Sequence, residues 1–346
     1  MKNFPLGVAI AAALSCIAVT ASAQTVIRFN QVLPANHWAM ARIVTPWAKQ
    51  VEEATQGRVK VQMTGASLGG FGQSMDLTGQ GVVDANFGTY GVLGGQFTLA
   101  RMTEVPMFEA SDPLPVSVAY WRAYEQHFAA AKEHEKAGTK LLAHWVSGAN
   151  HLYTREKKIS TIADLRGLKF GTSVEPMDRM LRQLGAVGLV VGTEQFFDIV
   201  SKGIADGVAA ANTGPNATRT EGLYKHQLLL GGSPYFTGFY MVMNQAKFAG
   251  LPAADKTAIE SVSGEKLVRM AGAVFSELDK ADLAARKAAG KTEVAEASPA
   301  FMKEMAEKTA FVTDEWLASA KKLGYDGAAA QAQWRRDAAA LGKSGL

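Results

Sequence analysis

The side chains with the most chemistry to offer gather at the ends of short apolar runs. Thr172, Ser173, Glu175 and Arg179 follow residues 168–170. Asn30, Gln31 and His37 close and follow residues 25–30, Trp145 ends 140–146, and Tyr235 and Phe236 precede 237–244. Hydroxyls, backbone N–H groups and a guanidinium brought to one place can hold an anion. Trp38, Phe71, Tyr90, Trp145, Tyr235 and Phe236 could instead build an aromatic wall, or a cage for a cation with Glu175 or Glu109 as counter-charge. Either arrangement recognises a ligand without making or breaking bonds. Signatures of bond-making are missing: there is no GxSxG, HExxH, Walker A or CxxC, and Gly88, Gly91 and Gly94 lack dinucleotide spacing. Lys132–Lys136 (KEHEK) sets His134 on a solvated helix face, and His127, His144 and His226 read as structural. No catalytic residue, metal site or cofactor is expected.

These residues need elements to position them. In 161–172 (TIADLRGLKFGT), Ile162, Leu165 and Leu168 recur at helical spacing, and Gly167 stops the turn. A strand at 168–170 then runs out at Gly171. In open α/β sheets ligands bind beyond the carboxyl ends of strands, so the residues just after Phe170 are the first place to look. Residues 25–30 read as a strand and 31–37 as a loop. Met40, Ile43, Val44, Trp47 and Val51 give a helix over 38–53, and 59–63 (VKVQM) alternates as a second strand. Strand, helix, strand argues for a parallel sheet.

Helices are expected at 71–81, 115–137, 176–184 and 195–202, and strands within 82–89 and at 140–146, 152–154, 224–230 and 237–244. Beyond Pro252 the chain reads as almost wholly helical, over 254–289, 301–323 and 328–341. The first of these, at ~1.5 Å per residue, is long enough to span two lobes. A chain that visits one α/β lobe, crosses to another and returns predicts a two-lobed periplasmic-binding-protein fold. It would have a hinge, mixed sheets in each lobe and a long C-terminal helix spanning both. The expected division is 24–146 plus 236–265 for lobe I, and 147–235 plus 266–346 for lobe II with the C-terminal helices.

The N-terminus supplies the compartment. Lys2, an apolar stretch over 6–20 and the small residues Ala21-Ser22-Ala23 read as a secretory signal cleaved after Ala23. The only cysteine, Cys16, lies inside it, so the mature chain has no disulfide and no thiolate chemistry. Losing Lys2 takes the formal charge from +4 to +3, too little to suggest a nucleic-acid partner, and 48% hydrophobic with 20% charged residues is ordinary for a globular protein.

Several short motifs occur in a telling order: Leu68-Gly69, Gly81–Asp84, Glu104–Glu109 (EVPMFE), Gly148-Ala-Asn-His-Leu, Asp164-Leu-Arg-Gly-Leu-Lys169 and Gly203-Ile-Ala-Asp-Gly207. Together they resemble the extracytoplasmic solute receptors of TRAP transporters, the dicarboxylate-receptor family, over essentially the whole mature chain. The resemblance implies a cleft lined by Gly70, Phe71, Gly88 and Thr89. It also implies an arginine clamp for a ligand carboxylate after the 168–170 strand, where this chain has Gly171. A second basic contact falls at Asn150, followed by His151, and the family's asparagine falls at Ala210, with Asn212 two residues on.

By that resemblance the chain is a periplasmic receptor, a monomer that binds one small metabolite and delivers it to integral-membrane TRAP permease subunits. An organic acid such as a C4-dicarboxylate is the default ligand. The missing arginines keep a neutral or amine ligand open. An ABC-type receptor, a receptor serving a membrane sensor and an exported enzyme are the other readings.

Overall fold

The computed structural model describes residues 24–344. The proposed signal, with Cys16 and the Ala23 cleavage point, lies outside the described residues, as do positions 345–346. In chain order the strands are β1 Thr25–Phe29, β2 Val59–Met63, β3 Ala85–Thr89, β4 Thr139–Val146, β5 Asn150–Thr154, β6 Lys169–Thr172, β7 Val187–Val190, β8 Gly207–Ala211, β9 His226–Leu229, β10 Gly238–Asn244 and β11 Glu293–Glu296. The helices are α1 Thr45–Ala54, α2 Phe71–Gly79, α3 Pro113–His127, α4 Glu133–Lys136, α5 Glu175–Gln183, α6 Phe196–Ser201, α7 Gly214–Ala217, α8 Gln245–Ala249, α9 Ala253–Ser261, α10 Gly264–Ala289, α11 Pro299–Lys322 and α12 Gly327–Lys343.

Two mixed sheets result, ordered β2-β1-β3-β10-β4 and β11-β9-β5-β8-β6-β7. In the first, β1 pairs in parallel with β2 and β3, while β10 runs antiparallel between β3 and β4. In the second, β6, β7 and β8 are parallel, and β5 runs antiparallel between β8 and β9. Alternation along each strand sends side chains to two cores per sheet. Phe29, Phe87, Trp145 and Met241 pack against α1 and α10, whereas Tyr90, Tyr240 and Val242 pack against α3 and α12. In the second lobe Phe170 packs with Met177 and Leu181 of α5 and Met305 of α11, and Val208 and Tyr153 pack under Phe196 and Val200.

The fold is the expected one, with local corrections. The helix read over 115–137 breaks after His127, because Lys132 is left-handed at φ 52° and restarts the chain as α4. The stretch 254–289 is two helices. They part at Ser263 and at Gly264, whose φ of 56° continues no right-handed helix. α10 alone still runs from α3 and β4 of the first lobe to Asn212 and Gln227 of the second. Two short strands were not expected: β7, and the edge strand β11, which adds in parallel to β9 inside the region expected to be helical.

The turn before β6 forms for a reason visible in its residues. Asp164 Oδ2 accepts from the backbone N–H of Ser160 and Thr161 at 3.0 and 2.8 Å and from the Thr161 hydroxyl at 3.0 Å, capping the single turn Ile162–Leu165. Gly207, at the start of β8, is a glycine of necessity. A Cβ there would stand 1.8 Å from the Tyr153 carbonyl oxygen on β5. Gly207→Ala must push the two strands apart and should cost about 1–3 kcal/mol in a urea unfolding titration. A midpoint equal to wild type would show that the sheet yields freely.

Candidate functional site

The strand directions locate a cleft. The chain leaves the carboxyl end of β4 and enters β5 through Ser147, Gly148 and Ala149. It leaves the carboxyl end of β9 and enters β10 through 230–237. Both crossovers therefore join the carboxyl edges of the two parallel strand sets, and these edges face one another. The crossovers are tied together: Ser147 N–H donates to Thr237 O at 2.9 Å, and Thr237 N–H to the Ser147 hydroxyl at 3.1 Å. Asn150 adds its backbone N–H to the Ser233 hydroxyl and its side-chain amide to Tyr235 O, both at 2.8 Å. Exposed apolar side chains mark the rim, with Leu68 and Val92 after β2 and β3, Val190 at the end of β7 and Phe197 on α6.

On the first lobe an aromatic wall stands at this edge. Trp38, Phe71 and Phe239 are half-buried, and each rests on a fully packed ring. Trp38 lies edge-on to Phe275 at 4.8 Å and Phe71 edge-on to Phe87 at 5.6 Å, while Phe239 stacks on Phe87 at 5.5 Å. Rings so anchored present faces at little further entropic cost. His37 lies 5.2 Å from Trp38, and its Nδ1 accepts from Ala39 N–H at 3.2 Å. Burial lowers its pKa, so the ring is neutral and its Nε2–H is left to donate. Gln31 is half-exposed, its backbone N–H held by Thr64 Oγ1 at 3.0 Å.

Other residues singled out from the sequence turn inward. Asn30 is wholly buried and braces the loop before α2, donating to Gly69 O at 3.1 Å and accepting from Leu68 N–H at 2.9 Å. Gly88 faces the Tyr240 hydroxyl, which a Cβ would approach to 2.3 Å, and Thr89 is nearly buried. Tyr90 lies between two buried imidazoles, 3.0 Å from His134 Nε2 and 3.2 Å from His144 Nδ1. His134 therefore sits in the core, away from the solvated face expected for it. Trp145 is buried against Phe87, the two rings nearly parallel with centroids 5.8 Å apart, and Phe236 packs on Trp334. Tyr235 is buried with its hydroxyl 3.4 Å from Ala209 O, and burial pushes its pKa up to about 12.

On the second lobe Gly171 and Thr172 are buried, Ser173 is half-exposed before the first turn of α5, and Asn212 directly follows β8. Asn212 is held from every side. Its N–H and Nδ2 donate to Asp279 at 3.2 and 2.9 Å, its Oδ1 accepts from Gln227 at 2.7 Å, and its carbonyl accepts from Arg286 at 2.9 Å. Arg179 pairs with Glu315 at 2.5 Å and Glu175 at 3.5 Å, and Glu109 pairs with Arg335. Each charge proposed for the ligand is thus already held in an ion pair.

Reading the sequence missed Phe239 and Arg101. Phe239 was legible in principle: it begins β10 at the carboxyl edge, three residues beyond the last aromatic chosen. Arg101 donates to Glu104 at 2.6 and 2.9 Å and to Gly94 O at 2.6 Å. With Pro176, Arg179 and Trp316 it flanks a cavity of about 190 Å³ between the lobes. The lobes touch nearby, where a Cβ on Gly91 would lie 2.9 Å from Val174. Among the described residues no group of acidic, histidine or cysteine side chains could hold a metal, and no helix is long and apolar enough to cross a membrane.

Comparison with known proteins bears on this cleft. The model of the bacterial extracellular solute-binding proteins, family 7, matches residues 29–319. The outer membrane transporter protein TsaT of Comamonas testosteroni is 28% identical over 346 residues, covering 98% of this chain and 99% of that one. A TRAP periplasmic solute-binding protein of Bordetella bronchiseptica, solved with bound (R)- and (S)-mandelate, superposes with a TM-score of 0.84 at 25% identity, over 92% of this chain and 99% of the other. A TRAP solute-binding protein of Rhodoferax ferrireducens, solved with copurified benzoate, gives 0.82 at 25% identity, over 93% and 100%.

Proposed function

The chain belongs to the bacterial extracellular solute-binding proteins of family 7, and on that premise we propose that it is a TRAP receptor for a small aromatic monocarboxylate. The wall of Trp38, Phe71 and Phe239 carries this reading, because half-exposed rings at a cleft edge match an aromatic ring in size and chemistry. The similar proteins solved with mandelate and benzoate support it. His37 Nε2–H and the Ser173 hydroxyl are neutral donors suited to one carboxylate. With glycine at 171 and asparagine at 150, a second carboxylate would enter without a bidentate partner, and an unpaired buried charge is costly. A C4-dicarboxylate is therefore disfavoured relative to an aromatic acid.

In this reading residues 1–23 are a cleaved signal and the mature monomer works in the periplasm. Residues 24–146 plus 236–265 move against 147–235 plus 266–346, and closure presents the loaded receptor to a membrane permease. Ligand-free protein, prepared by unfolding and refolding, is the material for the test. Benzoate or mandelate at 100 Kd should stabilise it by ~2.7 kcal/mol in a thermal-shift assay, and succinate should not. Phe239→Ala should weaken benzoate about tenfold. Stabilisation by amines or neutral metabolites alone would sink the acid reading.

A further inference from the structure

The cavity between the lobes is walled by both of them. Arg101 and Glu104 reach it from the first lobe, Arg179 from α5, and Glu315 and Trp316 from α11. Its charges do not balance. Arg101 is spent on one oxygen of Glu104, and Arg179 is shared between Glu315 at 2.5 Å and Glu175 at 3.5 Å. Three carboxylates thus stand against two guanidiniums, and the Glu175 charge bears on Arg101 and Glu104 across the gap. The surplus has a definite place. Glu104 is 4% exposed, and its Oε1 is buried with no hydrogen-bond donor. That oxygen lies at the seam where Gly91 of one lobe meets Val174 of the other, 3.7 Å from where a Gly91 Cβ would stand. Burial raises the Glu104 pKa against the pull of Arg101, and Glu175 adds to the rise, so the negative charge is held there at a cost.

We propose that this cavity is a second binding site, for an organic monocation: a primary ammonium on a short aliphatic body. One positive charge evens the count, and an ammonium brings the donors that Glu104 Oε1 lacks. The rest of the cavity suits the body. Its volume of about 190 Å³ far exceeds an inorganic ion, and Val105, Pro176 and Val312 supply apolar surface. The Trp316 N–H is spent on Thr98 O at 2.8 Å, which leaves the indole ring to face a cation. Glu104 and Glu175 belong to different lobes, so the bound cation would also tie the lobes together. None of Trp38, Phe71 and Phe239 lines this cavity, and the inference stands apart from the ligand assigned to the cleft.

The probe is n-butylammonium, a primary amine that is charged at pH 7, with 1-butanol, butyrate and sodium chloride as its neutral, anionic and inorganic counterparts. Refolded, ligand-free wild type, Glu104→Gln, Ser319→Phe and Phe239→Ala are each titrated calorimetrically at pH 7 and low salt. Wild type should give a saturable isotherm with butylammonium and with none of the other three. Glu104→Gln keeps the side chain's shape, removes its charge, and should weaken butylammonium about tenfold or more. Ser319 lines the cavity half-buried on α11, so Ser319→Phe fills the space without changing a charge and should weaken binding as much, which covers a Glu104→Gln protein that fails to fold. Phe239→Ala should bind butylammonium as wild type does, placing the site away from the aromatic wall. A wild type with no butylammonium isotherm would overturn the proposal and show that Glu104 meets its missing partner by holding a proton. An equal response to sodium chloride or butyrate would overturn it too, as would an affinity unchanged in Glu104→Gln and Ser319→Phe. If wild type binds butylammonium and no aromatic acid, the cleft assignment fails and this site stands.

Discussion

Bringing the ligand-free protein from pH 7 to pH 5 should remove several kcal/mol of stability, and three buried histidines are the cause. Burial pushes His134 down to about 3, and His151 likewise with the Arg286 guanidinium adding to it. Burial and the neighbouring His134 together hold His144 well below its ordinary value. All three rings stay neutral in the native state, while in the unfolded chain each titrates near 6.5. Their folded pKa values are depressed, so the unfolded state takes up more protons as pH falls below 6.5, and stability declines by up to ~1.4 kcal/mol per pH unit per ring. At pH 5 the loss is about 2 kcal/mol for each ring, or roughly 6 for the three.

Carboxyls raised by burial oppose it, Glu104 and Glu133 as well as Asp279. Burial pushes Asp279 up to about 6 against the bonds from Asn212, so the native state gains a proton there that the unfolded chain declines. That returns about 1.4 kcal/mol at pH 5. The net is a loss of at most about 4–5 kcal/mol between pH 7 and pH 5, measurable in urea titrations at three pH values. His134→Gln should flatten the slope by one proton's worth. A stability profile level from pH 7 to 5 would mean that the rings take up protons inside the fold.

The same histidines mark the limit of what the sequence could say. Residues 59–63, the βαβ order and the return of the chain through 237–244 were legible because they are local patterns of period 2 or 3.6. His134 in a charged run looks solvated, yet it faces Tyr90, 44 positions earlier, in a core closed by Tyr124 and Phe97. Tyr90 itself looks like a cleft aromatic for want of that contact. Asn150 reads as a ligand contact in place of an arginine, and its amide instead joins the two crossovers, a role set 85 residues away. The break at Ser263-Gly264 is signalled by its own residues but overridden by long apolar periodicity. β11 carries two glutamates in four residues and becomes a strand only because β9 offers a free edge. At position 171 the resemblance leads one to expect an arginine, whereas the isoleucine whose δ-methyl lies beside it is on another element.

Replacing Arg286 by methionine should cost about 3 kcal/mol and weaken ligand binding as well. The guanidinium side chain is 2% exposed, near the far end of α10, and reaches three groups besides its ion-pair partner's carboxylate. It pairs with Glu221 at 2.8 and 2.9 Å, and donates to Asn212 O at 2.9 Å, Gln227 Oε1 at 3.1 Å and the Tyr153 hydroxyl at 3.4 Å, lying over the Tyr153 ring. Gln227 passes the connection to Asn212 Oδ1, and Asn212 passes it to Asp279, seven residues earlier on the same helix. Methionine keeps the packing of the stem and removes every donor. Glu221 is 43% exposed and can turn to water, so its share of the loss is small. Gln227 Oε1 and the Asn212 carbonyl are buried and would stay unpaired, at roughly 1–3 kcal/mol each before relaxation. Lysine would restore charge without the fork and should recover less than half. The effect reaches the cleft because Asn212 follows β8 at its edge and Asp279 abuts Gly148, where a Cβ would come within 2.1 Å of its Oδ1. The helix and the cleft edge therefore share one hydrogen-bond chain that packs against the crossover, and loosening it should raise the ligand Kd about tenfold. An Arg286→Met protein within ~1 kcal/mol of wild type, with unchanged affinity, would mean that packing alone holds the lobes in register.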